Sequence, residues 1–103
     1  MAKVKINLDE IISKLRENKE VLKKYGVKKI GLFGSFVRGE QQRNSDIDFF
    51  VEFDEPDFDN FTRLYLFLEN LFGRKVELLT SAGIESIRID YIKEEIKRSI
   101  IYV

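Results

Sequence analysis

The sequence has no cysteine and no histidine, and its 103 residues include a single proline. Without cysteine there can be no disulfide, thiolate nucleophile or cysteine zinc site, and without histidine there is no imidazole acid–base chemistry. No apolar run approaches the ~20 residues needed to span a bilayer. The opening MAKVKINLDE also lacks the apolar core of a signal peptide, so a cytoplasmic protein with no membrane partner is expected. Net charge is missing as well: 18 Lys and Arg balance 18 Asp and Glu. No overall field then draws the chain toward nucleic acid, and no basic stripe interleaved with aromatics argues for such a partner. There are no repeats, low-complexity segments or linkers, and the length suits one domain spanning 1–103. Any catalysis must rest on carboxylates, hydroxyls, Lys, Arg and bound cofactors.

What is present is a chain with 44% hydrophobic and 35% charged residues, a balance typical of a folded domain with a charged surface. Asn7 and Glu10 mark a helix start, and apolar residues at helical spacing from Leu8 to Tyr25 predict one helix over 8–25, closed by Gly26. Lys28–Phe33 reads as a short strand entering Gly34-Ser35. A brief helical turn over 35–39 is expected next, with Ser35 as its cap, and then a polar loop over 40–45. Ile47, Phe49, Val51 and Phe53 alternate with Asp46, Asp48, Phe50 and Glu52, the pattern of a strand with one apolar face. Pro56 bars that strand from continuing. A helix from Phe58 to Phe72, ended by Gly73, leads to a third strand over Arg74–Leu79. Thr80-Ser81 turns the chain into a last helix with a buried stripe of Ile84, Ile87, Tyr91, Ile92, Ile96 and Ile100. The apolar end, Ile101–Val103, either docks on the domain or meets a partner. The fold class this order predicts is α+β, with a small mixed sheet of about three strands or slightly more flanked by helices.

The chemistry concentrates in Lys29–Phe53, KIGLFGSFVRGEQQRNSDIDFFVEF. Glycine at a strand-to-helix junction lets backbone approach a ligand, and the leading N–H groups favour an anion, so Gly34 and Ser35 can hold phosphate. Arg38, just beyond, can reach the same phosphate or pair with Glu40. Asp46 and Asp48 leave the same face of their strand roughly 6.5 Å apart along the chain, and converging carboxylates can share a metal pair roughly 4 Å apart. All-oxygen donors suit Mg²⁺, which completes its shell with water and substrate phosphates. Glu77 is the one acid in RKVELL and becomes a third ligand if its strand pairs beside the second. Taken singly, each feature has an ordinary structural explanation: a cap, a solvated acidic stripe, an exposed strand residue. Together they fit nucleotidyl transfer.

Gly34-Ser35, ten residues and Asp46-x-Asp48 resemble the signature of the minimal nucleotidyltransferases in the DNA polymerase beta-like superfamily. The resemblance covers nearly the whole chain, including KVELLT and the closing helix. It implies a polymerase beta-like core, two Mg²⁺ ions held by Asp46, Asp48 and Glu77, catalysis by the two aspartates, and ATP as substrate with its phosphates on Gly34 and Ser35. Relatives more often carry Asp at the position of Glu77. The resemblance further implies an antitoxin that transfers AMP to a tyrosine hydroxyl of a HEPN-domain toxin. The alternative is an antitoxin with a weak or vestigial site that neutralises its toxin by binding alone, for which Glu77 and the apolar tail are the motives.

Overall fold

The computed structural model describes residues 6–42, 45–55 and 57–103, so Pro56, part of the polar loop and the first five residues lie outside the description. The elements run α1 (Leu8–Glu17), α2 (Lys19–Lys24), β1 (Val27–Phe33), α3 (Ser35–Arg38), β2 (Ile47–Phe53), α4 (Phe58–Phe72), β3 (Val76–Thr80), α5 (Ser81–Glu85), α6 (Asp90–Ser99) and β4 (Ile101–Tyr102). The strands form one mixed sheet in the order β3-β2-β1-β4. β1 pairs antiparallel with β2 and with β4, while β2 and β3 run parallel, joined by the α4 crossover. The α+β class with a small mixed sheet holds.

The alternation in β2 separates the two faces of the sheet. Ile47, Phe49 and Val51 are fully buried and meet Ile30 and Leu32 of β1, Ile11 and Leu15 of α1, Leu22 of α2, and Leu64 and Leu68 of α4. Burying each such side chain contributes about 1.5–3 kcal/mol. Asp48, Phe50 and Glu52 point the other way. That face receives α5, which packs on β2 and β3 and then meets α6.

Several boundaries differ from the sequence reading. The helix expected over 8–25 breaks at Asn18, whose side-chain amide donates to the Lys14 carbonyl at 2.8 Å and competes with the helical ladder. Its start is as expected, with Asn7 accepting from the Glu10 amide at 2.9 Å. The last helix also divides. Thr80 caps α5 through the Gly83 amide, and the Ser86 hydroxyl donates to the Gly83 carbonyl where α5 stops. The stripe expected there is buried only at Ile84; Tyr91 is 71% exposed, because α6 has one flank on the domain and the rest open. The strand starting at Arg74 in the sequence reading begins at Val76 and ends at Thr80.

The apolar end docks. Tyr102 pairs with Gly31, Ile101 pairs with Leu32, and the Val103 amide donates to the Ile30 carbonyl at 2.9 Å. Gly31 permits this approach, since a Cβ there would lie 2.7 Å from Ile100 Cγ2 and 2.8 Å from the Ile101 carbonyl oxygen. Tyr102 then packs edge-on against Phe50 across the sheet, with ring centroids 5.9 Å apart.

Candidate active site

The site forms where β1 ends. Gly34 has φ +81 and ψ −150, a conformation that side-chain-bearing residues rarely adopt. It occupies the N-cap position of α3, so Ser35 is the first helical residue and not the cap, as the sequence had suggested. The Val37 and Arg38 amides both donate to the Gly34 carbonyl at 3.2 Å. The amides ahead of them, at the opening of the turn, are the ones such a helix leaves without internal partners.

Gly34 is needed for a second reason. Phe33 pairs with Asp48 across the β1–β2 ladder, and a Cβ on Gly34 would overlap the Asp48 carboxylate. The phosphate-type turn and the first strand acid are therefore in direct contact, although ten residues of chain separate Ser35 from Asp46.

The parallel β2–β3 register places Glu77 directly beside Asp48. Burial pushes the Asp48 carboxyl up to about 6, and the charge of Glu77, a hydrogen bond shared with Glu77 and the charge of Asp46 add to it. Arg38 opposes them weakly. A raised carboxyl among other carboxyls marks a place where a cation would be welcome. The donor set is all oxygen and suits Mg²⁺, which keeps part of its water shell. Among the described residues no group of three acids is already gathered into a cage. The fit therefore rests on the Asp48–Glu77 neighbours, with Asp46 within electrostatic reach.

Arg38 is exposed and forms an ion pair with Glu40, while its charge still reaches Asp48. Of the two roles weighed from the sequence, the pairing with Glu40 is the one this structure holds.

One residue the sequence reading overlooked is Arg74. It is only 6% exposed. Its Nη1 donates to the Ser45 carbonyl at 3.2 Å, and its guanidinium lies 5.7 Å from the centre of the Phe36 ring. Ser45 immediately precedes Asp46, and Phe36 sits in α3, so this one side chain ties the turn to the acid strand. An arginine opening a short strand reads as surface, and only its position just after Gly73 distinguishes it.

Residues 11–103 match the nucleotidyltransferase domain family, and the chain belongs to it. It is a nucleotidyltransferase. A candidate protein adenylyltransferase of Methanocaldococcus jannaschii is 48% identical over 100 residues, covering 93% of this chain and 97% of that protein. The protein adenylyltransferase MntA of Thermococcus cleftensis is 38% identical over 100 residues, covering 95% and 97%. A solved candidate minimal nucleotidyltransferase superimposes with a TM-score of 0.73 at 26% identity, covering 93% of this chain and 95% of that one. A chain of a toxin–antitoxin crystal structure with AMP-PNP gives a TM-score of 0.60 at 26% identity, covering 94% and 72%.

Proposed function

We propose that this chain, acting as a single nucleotidyltransferase domain in the cytoplasm, transfers AMP from ATP to a tyrosine hydroxyl of a HEPN-type toxin and so serves as its antitoxin. The observation that carries this reading is the contact between the Gly34 turn and Asp48, with Glu77 in register beside it. A phosphate-holding turn and a carboxylate group occupy one spot. The names of the relatives support protein adenylylation, and the AMP-PNP in the toxin–antitoxin neighbour supports an adenine nucleotide.

In this reading the Gly34–Ser35 turn holds the triphosphate through backbone amides and the Ser35 hydroxyl, and Arg38 leaves Glu40 to meet a phosphate oxygen. Asp46, Asp48 and Glu77 would hold two Mg²⁺ ions, which supply neutralisation of the triphosphate and of the leaving pyrophosphate. The acceptor oxygen forms a bond to the α-phosphorus as the bond from that phosphorus to the pyrophosphate oxygen breaks. The hydroxyl proton passes to Asp46 or Asp48. Such transfer needs mainly positioning and electrostatics, which a rigid strand pair provides.

The test combines the protein, labelled ATP, Mg²⁺ and the product of the neighbouring gene. Label should appear on that partner, and should vanish with Asp46→Asn plus Asp48→Asn. Absence of transfer, or its persistence in the double variant, rules the enzymatic reading out. The second reading is neutralisation by contact alone, and it is motivated by Glu at position 77, where relatives more often carry Asp. In that case the double variant still binds and still suppresses the toxin.

A further inference from the structure

A pocket of about 250 Å³ opens beside the turn, between Gly34 and Arg38 on one side and α6 on the other. Ile92, Glu95, Ile96 and Ser99 line its far wall. Their spacing of three, four and seven residues puts all four on one face of the helix. The opposite flank is committed elsewhere: Lys93 and Lys97 lie 3.7 and 2.7 Å from Glu85, which holds α6 against α5. The wall is thus tied on its other flank to α5.

The two ends of the pocket differ in chemistry. Gly34 and Arg38, the latter paired with Glu40, form the end that adjoins the turn. The α6 wall offers acceptors only, because Glu95 is a carboxylate and the Ser99 hydroxyl already donates to the Ile96 carbonyl at 2.9 Å. Phosphate oxygens are acceptors too and carry negative charge, so they are repelled from Glu95. The isoleucines, with Phe33 across from them, provide apolar sides of the kind that flank a flat or ring-shaped group.

Resting on the nucleotidyltransferase reading above, we infer that this pocket takes the nucleoside end of the nucleotide, with Glu95 accepting a hydrogen bond from it. The donor is a ribose hydroxyl or the exocyclic amine of adenine. Both are neutral N–H or O–H donors of the kind this wall lacks. Glu95 is then a specificity-determining residue, while the turn at the other end is indifferent to the base.

Binding of two probes, ATP and inorganic tripolyphosphate, is measured with Mg²⁺ on the full chain. Glu95→Ala should weaken ATP about tenfold, the scale of one hydrogen bond to a charged group, and leave tripolyphosphate unchanged or slightly tighter. Ile96→Trp, which fills the pocket, should do the same, and thermal melts confirm that both variants fold. A 2′- or 3′-deoxy ATP that binds the unaltered protein as weakly as ATP binds Glu95→Ala assigns the donor to ribose. Inosine triphosphate behaving so assigns it to the amine. The inference is overturned if both probes weaken together, or if ATP binding survives both substitutions. Label transfer that persists in that second case leaves the enzymatic reading standing, and loss of all probe binding by the unaltered protein removes both.

Discussion

Among the described residues, Asp48 is the one carboxyl pushed above its ordinary range. It is half-buried, lies beside Glu77 in register and feels the charge of Asp46 as well, and together these push its carboxyl up to about 6. The sign of its effect on stability follows from proton counting. Between the ordinary carboxylate range and about pH 6 the folded protein holds a proton on Asp48 that the unfolded chain has lost. Rising pH through that window therefore weakens the fold. Asp48→Asn removes the conflict and should melt at a higher temperature than the parent at pH 7, with the gap closing as the pH falls toward 4. Thermal melts from pH 4 to 7.5 check this; an equal gap at both ends would mean that the substitution acts through packing instead. Gly34, Ser35, Asp46, Asp48 and Glu77 were all legible as candidates in the sequence, because each departs from its local pattern: glycine at a junction, acids within an apolar strand or, for Asp46, one residue ahead of where β2 begins. Arg74 was not, since its burial depends on Phe36 and Ser45, which come from distant parts of the chain.

At the scale of elements, what was legible followed from repetition. The period of two in β2 and the period near four in α4 are dictated by which face must be dry, and both emerge as expected. The interruptions at Asn18 and after Glu85 were not legible, because apolar spacing runs through them while local side-chain bonds to carbonyls end the helices. β4 was undecided for a related reason. Two residues carry no period, and their docking depends on the missing side chain of Gly31. Gly31→Val should force β4 off the sheet edge, losing the Val103–Ile30 bond and the Tyr102–Phe50 contact. The expected cost is about 1–3 kcal/mol, the usual range for overpacking. Urea melts give the energy, and faster proteolysis after Tyr102 or Tyr91 reports release of the edge. Unchanged protease sensitivity would contradict the docked arrangement.

For the molecule as a whole, the sheet separates two tasks. One face supplies the core; the other carries like charges that the core face must hold together. Such an arrangement links cation binding to stability, because a ligand that binds only the folded state stabilises it. Millimolar Mg²⁺ should raise the melting temperature above about pH 6, where Asp48 has lost its proton, and do little near pH 4. The increment should disappear with Asp46→Asn plus Asp48→Asn. An equal rise at pH 4 would point to weak surface binding elsewhere. Among the described residues no helix is long and apolar enough to cross a membrane, and Phe58, Leu66 and Tyr91 stand more than half exposed.

The parallel pairing of β2 with β3 has a consequence for how this chain could vary in length. Asp48 and Glu77 meet through register, while α4 between their strands packs Leu64 and Leu68 into the core and the short loop ahead of it only returns the chain. Loop lengthening around Asp54–Asp57 would leave every acid in place. One residue added between Asp46 and Asp48 would turn an acid toward the core, since successive strand residues face opposite ways. Length is therefore free in the loop ahead of α4 and fixed within the strand, and an insertion map of this domain should show silence in the first and loss of function in the second.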